Sequence, residues 1–410
     1  MKYVPIFTKL RMVVLGLLIA LLLVASSPLP ASAQTETVLY SFCPKGGWCA
    51  GGALPDSGVI ADSAGNLYGV TYYGGTGVGG IAFKVNAAGE ESLLYSFTRE
   101  ADNGWRSEGQ LILDKQGNLY GTTSAGGTNS IHFYIGDGTV FKLSPEGTES
   151  TLYNFGASKY DGAQPMAGMV MDAKGNFFGA TYFGGMYTYG TIFRLSPDGV
   201  ETILHNFAYD SSDGGLPYAS LILDSSGNLY GTTGAGGEYG GGTVFEVTAE
   251  GGYTTLHNFD GVQGDGYGPL TSLTLDSQGN LYGTTYRGGK YDDSQNGGTI
   301  FKLSPGSNGL WKETILYNFG QQSGSCQEPW SNVLLVKGNL YGTTTSGGAW
   351  GGGCAYELTP AGKLTLLHAF GASGDGIGPV GNIVFSQGNL YGATGSGGAY
   401  AEGTVFKITP

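Results

Sequence analysis

No stretch of this 410-residue chain repeats apolar residues at the 3.6-residue spacing of a helix, which excludes helical bundles and doubly wound α/β folds. Basic residues are few: 19 Lys and Arg against 32 Asp and Glu leave a formal charge of −13. Nucleic acid and anionic membranes are therefore not expected as partners, since both are bound through clustered positive charge. A Gly-x-Ser-x-Gly nucleophile elbow is absent. Gly75-Thr-Gly-Val-Gly-Gly80 matches the dinucleotide fingerprint as a string, but no helix follows it, so no cofactor is expected there. The sustained apolar run from Met12 to Ala25 is too short to span a membrane. It follows Lys2, Lys9 and Arg11 and precedes Ala31-Ser32-Ala33, so residues 1–33 read as a signal peptide cleaved after Ala33. Loss of those three cations takes the net charge from −13 to −16. The expected product is residues 34–410, a secreted, extracellular or periplasmic monomer with no membrane span.

What is present is repetition. Gly-Asn-Leu/Phe-Tyr/Phe-Gly recurs with its asparagine at Asn66, Asn118, Asn176, Asn228, Asn280, Asn339 and Asn389, a period that marks a repeat architecture. Each unit reads as four short strands. In the fourth these are Ser220 to Asp224, Asn228 to Thr233, Gly242 to Val247 and Thr254 to Phe259, bounded by Gly, Asp and Ser turns. Many of the 77 glycines fall at fixed repeat positions, where turns need a positive φ.

The chain ends on Gly403-Thr-Val-Phe-Lys-Ile-Thr-Pro410, a third strand with no fourth after it, while Thr37-Val-Leu-Tyr-Ser-Phe42 supplies a fourth-strand sequence at the other end. An open solenoid gains nothing from such a displaced strand; a ring does, because it removes the seam. The expected fold is all-β: a seven-bladed β-propeller with four strands per blade, closed by the N-terminal strand completing the last blade. The third strands, as in Val140, Phe141 and Leu143, are apolar on both sides because each blade packs on two neighbours.

Four cysteines in an exported chain suggest two disulfides. Cys43 and Cys49 share a short loop and Cys326 and Cys354 fall in one blade, which favours these local pairs over a four-thiolate metal site. No metal is expected.

Function belongs to the faces of the disc. The loops between first and second strands and between third and fourth barely vary. The opposite face carries the variation, with a fourteen-residue insertion in blade two (Ser124 to Asp137) and a twelve-residue one in blade five (Tyr286 to Gly297). Variable loops on a rigid scaffold are where binding resides. Aromatic rings collect on this face: Trp48, Trp105 and Trp330 in fourth-to-first loops, and Tyr187, Tyr239, Tyr291, Trp350 and Tyr400 two residues after a Gly-Gly pair. They serve either as repeated packing or as a crown for stacking on sugar faces.

Asp161, Asp213, Asp265 and Asp375, each in Asp-Gly before a first strand, and Asp102 in a looser copy, read as turn formers. A Ca²⁺-binding ring of carboxylates is the alternative. His205, His257 and His368 replace the tyrosine of the fourth strand and read as packing residues; His132 alone is non-repetitive. No catalytic residue is assigned, and whether Asp137, Asp292, Asp293 or Glu402 converge is open.

The string Asn-Leu-Tyr-Gly-Thr-Thr, then Gly-Gly, then Gly-Thr-Val-Phe-Lys-Leu-Ser-Pro, then Leu-Tyr-Asn-Phe resembles the Gloeobacter/Verrucomicrobia-type (GloVer) tandem repeat of exported bacterial proteins. The resemblance covers essentially the whole mature chain. It implies an extracellular setting and brings no established activity or catalytic residues. Two function classes follow. The first is an exported, non-catalytic binding propeller recognising an extracellular polysaccharide or other cell-surface ligand through the loop-rich face. The second is a secreted polysaccharide-active enzyme, lyase or glycoside hydrolase, which would need two carboxylates flanking the scissile bond.

Overall fold

A computed structural model describes residues 36–410 except 45–48, 101–102, 134, 263, 292–296, 308 and 323. The expected signal peptide, Trp48, Asp102, Asp292 and Asp293 lie outside the described residues. Among those described, all regular elements are strands, and no helix is long and apolar enough to cross a membrane.

Seven antiparallel sheets of four or five strands form the blades of a β-propeller. Blade four comprises Ile222–Leu223, Leu229–Thr233, Thr243–Val247 and Tyr253–Asn258, in that order. Its first strand is shorter than the expected Ser220 to Asp224, because Ala219 and Ser220 leave the sheet to line the central channel. Closure is by the N-terminal strand: Glu36–Ser41 pairs with Thr404–Ile408 as the outer strand of blade seven, from Glu36 opposite Ile408 to Ser41 opposite Thr404 with a bulge between Val38 and Tyr40.

The repeat motif is explained by three local devices. In the Asp-x-x-Gly-Asn turn, the Asp62 carboxylate accepts from the Ala64 and Asn66 amides at 2.9 Å, from Asn66 Nδ2 at 2.7 Å and from Tyr68 Oη at 3.0 Å. One side chain thus folds the whole turn. The glycine after Leu-Tyr makes room for an aromatic ring. A Cβ on Gly231 would stand 2.5 Å from Phe245 Cζ, and one on Gly121 2.6 Å from Phe141 Cζ. The third device joins blades. The phenylalanine at the end of each fourth strand meets the third-strand ring of the next blade, as in Phe97 with Phe141 and Phe155 with Phe193, both at 5.1 Å between centroids. Phe42, from the N-terminal segment, makes the same contact with Phe83 of blade one at 5.1 Å.

Both disulfides form, Cys43 with Cys49 and Cys326 with Cys354, consistent with an oxidising compartment. The second has a clear origin in the repeat. Cys326 occupies the place of Gly162 or Gly376, and Cys354 that of Thr191 or Thr404. In the other blades a Cβ on that glycine would fall 2.9 Å from Thr191 Oγ1 or 2.7 Å from Thr404 Oγ1. Two cysteines at these positions therefore start within bridging reach, and their Cα atoms stand 5.8 Å apart.

Candidate binding site at the channel mouth

The loops entering the first strands build the mouth of the central channel on the variable face. Each passes through one residue with left-handed backbone, namely Leu54, Arg106, Gln164, Leu216, Gly268, Glu328 and Gly378, with φ between 53° and 67°. The amide of this residue donates across to the preceding blade, as from Gln164 to the Asp137 carbonyl at 2.7 Å and from Leu54 to the Glu402 carbonyl at 3.0 Å. In all blades but the second a proline follows. It packs where the glycine opening the previous third strand has no side chain: a Cβ on Gly190 would meet Pro217 Cδ at 2.9 Å. The kinked turn delivers the next residue to the rim of the channel, giving Asp56, Glu108, Met166, Tyr218, Leu270, Trp330 and Val380 in blade order.

All but Val380 line one cavity with Ser57, Gln110, Ser220, Ser272 and Asn382. Its floor is polar and closed. Asn382 of blade seven reaches across the lumen, its Nδ2 donating to Gln110 Oε1 of blade two at 3.0 Å and to Ser272 Oγ of blade five at 3.4 Å. The channel is therefore a cup and not an open pore. Its volume of about 60 Å³ holds a few water molecules or one small polar group.

The rim is divided chemically. Asp56 and Glu108 stand on adjacent blades, facing a wall of rings. Tyr218 lies 6.0 Å edge-on from Trp330 and 6.1 Å from Tyr182, and Trp330 lies 5.0 Å from Tyr286. Burial pushes the Glu108 carboxyl up to about 7; a hydrogen bond from Ser124 Oγ at 2.5 Å and the nearby Arg106 pull it down, and the charge of Asp56 pushes it up. Burial raises Asp56 as well. Tyr218 is held well above the usual phenol range by burial and then by the charges of Asp56 and Glu108. Walls of low dielectric, and after them the like charge on the neighbouring blade, raise the Glu108 carboxyl, and perturbed carboxyls concentrate at functional sites.

The rings singled out by sequence fall into three groups. Trp330 is half-buried in the wall of the cup. Trp105 is 9% exposed, with the Arg99 and Arg106 guanidinium groups 4.8 and 4.5 Å from its ring, so its faces are taken by packing. Tyr187, Tyr239, Trp350 and Tyr400 are exposed at the loop tips, Trp350 to 66%, and Tyr291 is half-buried beneath Lys290. These tips project from separate blades.

The carboxylates resolve similarly. Asp161, Asp213, Asp265 and Asp375 lie beside the fourth strands and accept backbone amides, as Asp161 does from Ala157 and Gly162 at 2.8 and 2.6 Å. The fourth-strand side chain holds them too, through Tyr153 Oη to Asp161 Oδ2 at 2.9 Å, or His205 Nε2 beside Asp213 Oδ2 at 3.0 Å. Asp137 is fully buried and accepts the amides of Ile131, His132 and Phe133, pinning the long loop of blade two. Sequence reasoning passed over Asp56, Glu108 and Tyr218. The signal that finds them is the third residue of the positive-φ turn, which changes its chemistry from blade to blade.

The sequence profile of the Gloeobacter/Verrucomicrobia repeat matches residues 28–221, 132–328 and 290–410. The chain belongs to this repeat family. Curated proteins contain no match to it. Solved structures similar to this GloVer propeller include virginiamycin B lyase from Staphylococcus aureus, 14% identical with a TM-score of 0.56, covering 92% of this chain and 98% of that one. A streptogramin B lyase is 13% identical with a TM-score of 0.57, covering 92% and 99%. An extracellular domain assigned to a hybrid two component system of B. thetaiotaomicron, also 13% identical at 0.57, covers 92% of this chain and 41% of that one. At such identities the likeness concerns the fold alone.

Proposed function

We propose that this GloVer propeller is an exported binding protein that takes the end of a glycan chain in the cup at its channel mouth. The observation that carries the reading is the division of the rim, with Asp56 and Glu108 on one side and Tyr218 and Trp330 on the other. Carboxylates accept hydrogen bonds from sugar hydroxyls, while aromatic faces bury the C–H face of a pyranose. The closed floor admits one polar group of a terminal unit, and the remaining ring lies on the aromatic wall. Two-component sensing through a similar extracellular fold is compatible with a binding role.

A second reading, a lyase or glycoside hydrolase, is favoured by one feature: the Glu108 carboxyl near 7, beside Asp56, is poised for proton transfer at neutral pH. Calorimetry against a panel of oligosaccharides, with chromatography of the same mixtures, separates the two. The binding reading predicts affinity without product. That affinity rises between pH 6 and 8 as Glu108 ionises into the better acceptor, and it is flat with pH in Glu108→Gln. Product formed by the wild type and abolished in Glu108→Gln establishes the enzyme. A panel with neither binding nor product removes both readings.

A further inference from the structure

The outer rim, far in the fold from the cup, presents a different chemistry. At the blade junctions that carry Asp161, Asp213, Asp265 or Asp375, the Tyr or His of one fourth strand stands beside the Asp-Gly loop that follows it and near a residue in the first, turn-proximal part of the next fourth strand. Where the first is tyrosine, its hydroxyl satisfies the aspartate, as Tyr153 does for Asp161. At two junctions the set becomes His, Asp and Glu: His257, Asp265 and Glu313 between blades four and five, and His368, Asp375 and Glu36 between blades six and seven.

In the first set, His257 Nε2 stands 3.7 Å from Asp265 Oδ2 and 3.6 Å from Glu313 Oε1. These separations exceed a hydrogen bond. Both His257 Nε2 and Glu313 Oε1 are buried without a hydrogen-bond partner. An unpaired buried imidazole nitrogen facing an unpaired buried carboxylate oxygen is costly unless something sits between them. The spacing suits a metal: ligand bonds of about 2.0–2.1 Å in a tetrahedron place donor atoms about 3.3–3.4 Å apart. The aspartate is already oriented, since Asp265 Oδ2 accepts the Asp260 amide at 2.9 Å and Oδ1 the Gly266 amide at 2.6 Å.

The second set has the same residue types, but here the imidazole nitrogen is hydrogen-bonded to the aspartate and only the glutamate has an unpartnered oxygen. Asp375 Oδ2 lies 2.8 Å from His368 Nε2 and takes the Gly371 amide at 3.1 Å, while Glu36 Oε2 stands 4.0 Å from the same imidazole. The Glu36 side chain is only 7% exposed, yet its Oε1 has no partner. Burial, then the neighbouring Asp375, pushes Glu36 up to about 8, and burial first among several influences pushes Glu313 up to about 7.

We propose that these junctions are two divalent-cation sites of one imidazole and two carboxylates each, and that zinc is the ion they take, with water in the fourth position. Nitrogen and oxygen ligands in this number suit zinc better than calcium or magnesium, which prefer six or more oxygens or octahedral geometry. The second site ties the N-terminal strand to the blade before it, so the ion would staple the closure of the ring.

The test is zinc binding by the intact mature chain, with calcium and magnesium alongside. The informative variants are His257→Tyr and His368→Tyr, because tyrosine is what the repeat itself uses at Tyr153 to hold the same aspartate, so the fold is kept. The wild type should bind two zinc ions, release protons on binding and melt at a higher temperature with zinc than with chelator. Each single variant should bind one ion, and the double variant none, with its melting temperature in chelator close to that of the wild type. Cobalt substitution should give the intense visible bands of a tetrahedral site in the wild type alone. No bound zinc in the wild type, or two ions retained in the double variant, overturns the proposal; binding of calcium in preference to zinc overturns the assignment of the ion.

Discussion

A chain lacking residues 35–42 will fail to close its ring, melt far below the full-length protein and aggregate as it does so. Three losses combine. The ladder from Glu36 opposite Ile408 to Ser41 opposite Thr404 disappears, leaving the strand Thr404–Ile408 as a bare edge. Phe42, fully buried against Phe83, disappears too; removing one such ring from a core costs about 3–5 kcal/mol. The strand left at the edge is apolar, with Val405, Phe406 and Ile408 fully buried in the intact propeller, and an apolar edge is a template for pairing between chains. Since whole domains are stable by only about 5–15 kcal/mol, the combined loss approaches the entire margin. Thermal unfolding followed with light scattering checks this. An unchanged midpoint would contradict closure by this strand.

Phe245→Ala should cost about 3–5 kcal/mol of stability through loss of contacts with the preceding blade and within its own. The ring is fully buried and meets Phe207 of the preceding blade at 5.4 Å and Tyr253 of its own blade at 5.6 Å. It also fills the space over Gly231, where a Cβ would stand 2.5 Å away, so its loss opens a cavity that backbone on that side cannot collapse into. Denaturant unfolding measures the effect. A cost near that of a surface substitution, within about 0.5 kcal/mol, would show that the ring-to-ring contacts do not bind the blades together.

The fold was legible because its determinants are local and repeated. Asp62, Asn66 and Tyr68 act within one turn, and the displaced strand announces its partner by its own sequence. The pairing of Cys326 with Cys354 was legible for the same reason, each residue replacing a repeat position already in contact with the other. The cup was not. Asp56, Glu108, Tyr218 and Trp330 are dispersed over the sequence and converge only because seven turns with positive φ aim one residue each toward a common axis, a convergence that no local pattern displays. The crown of loop-tip rings, by contrast, was conspicuous in sequence because it repeats, while the structure leaves those rings on separate blades. His257 and His368 show the converse problem. Alignment made them look like substitutes for tyrosine, and only the approach of Glu313 and Glu36 from the neighbouring strand reveals a ligand set.

The central claim is that ligand is held by the cup and not by the crown. The most direct measurement is the affinity of a single oligosaccharide, taken from the panel as the tightest ligand, for Trp330→Ala and Trp350→Ala side by side, with the melting temperature of each. Trp330 contributes a ring to the wall beside Asp56 and Glu108, and loss of an anchor of this kind weakens binding by about 10-fold or more. Trp350, 66% exposed at a loop tip, should leave both affinity and melting temperature unchanged. Full affinity in Trp330→Ala together with lost affinity in Trp350→Ala would move the site to the loop tips and contradict the account.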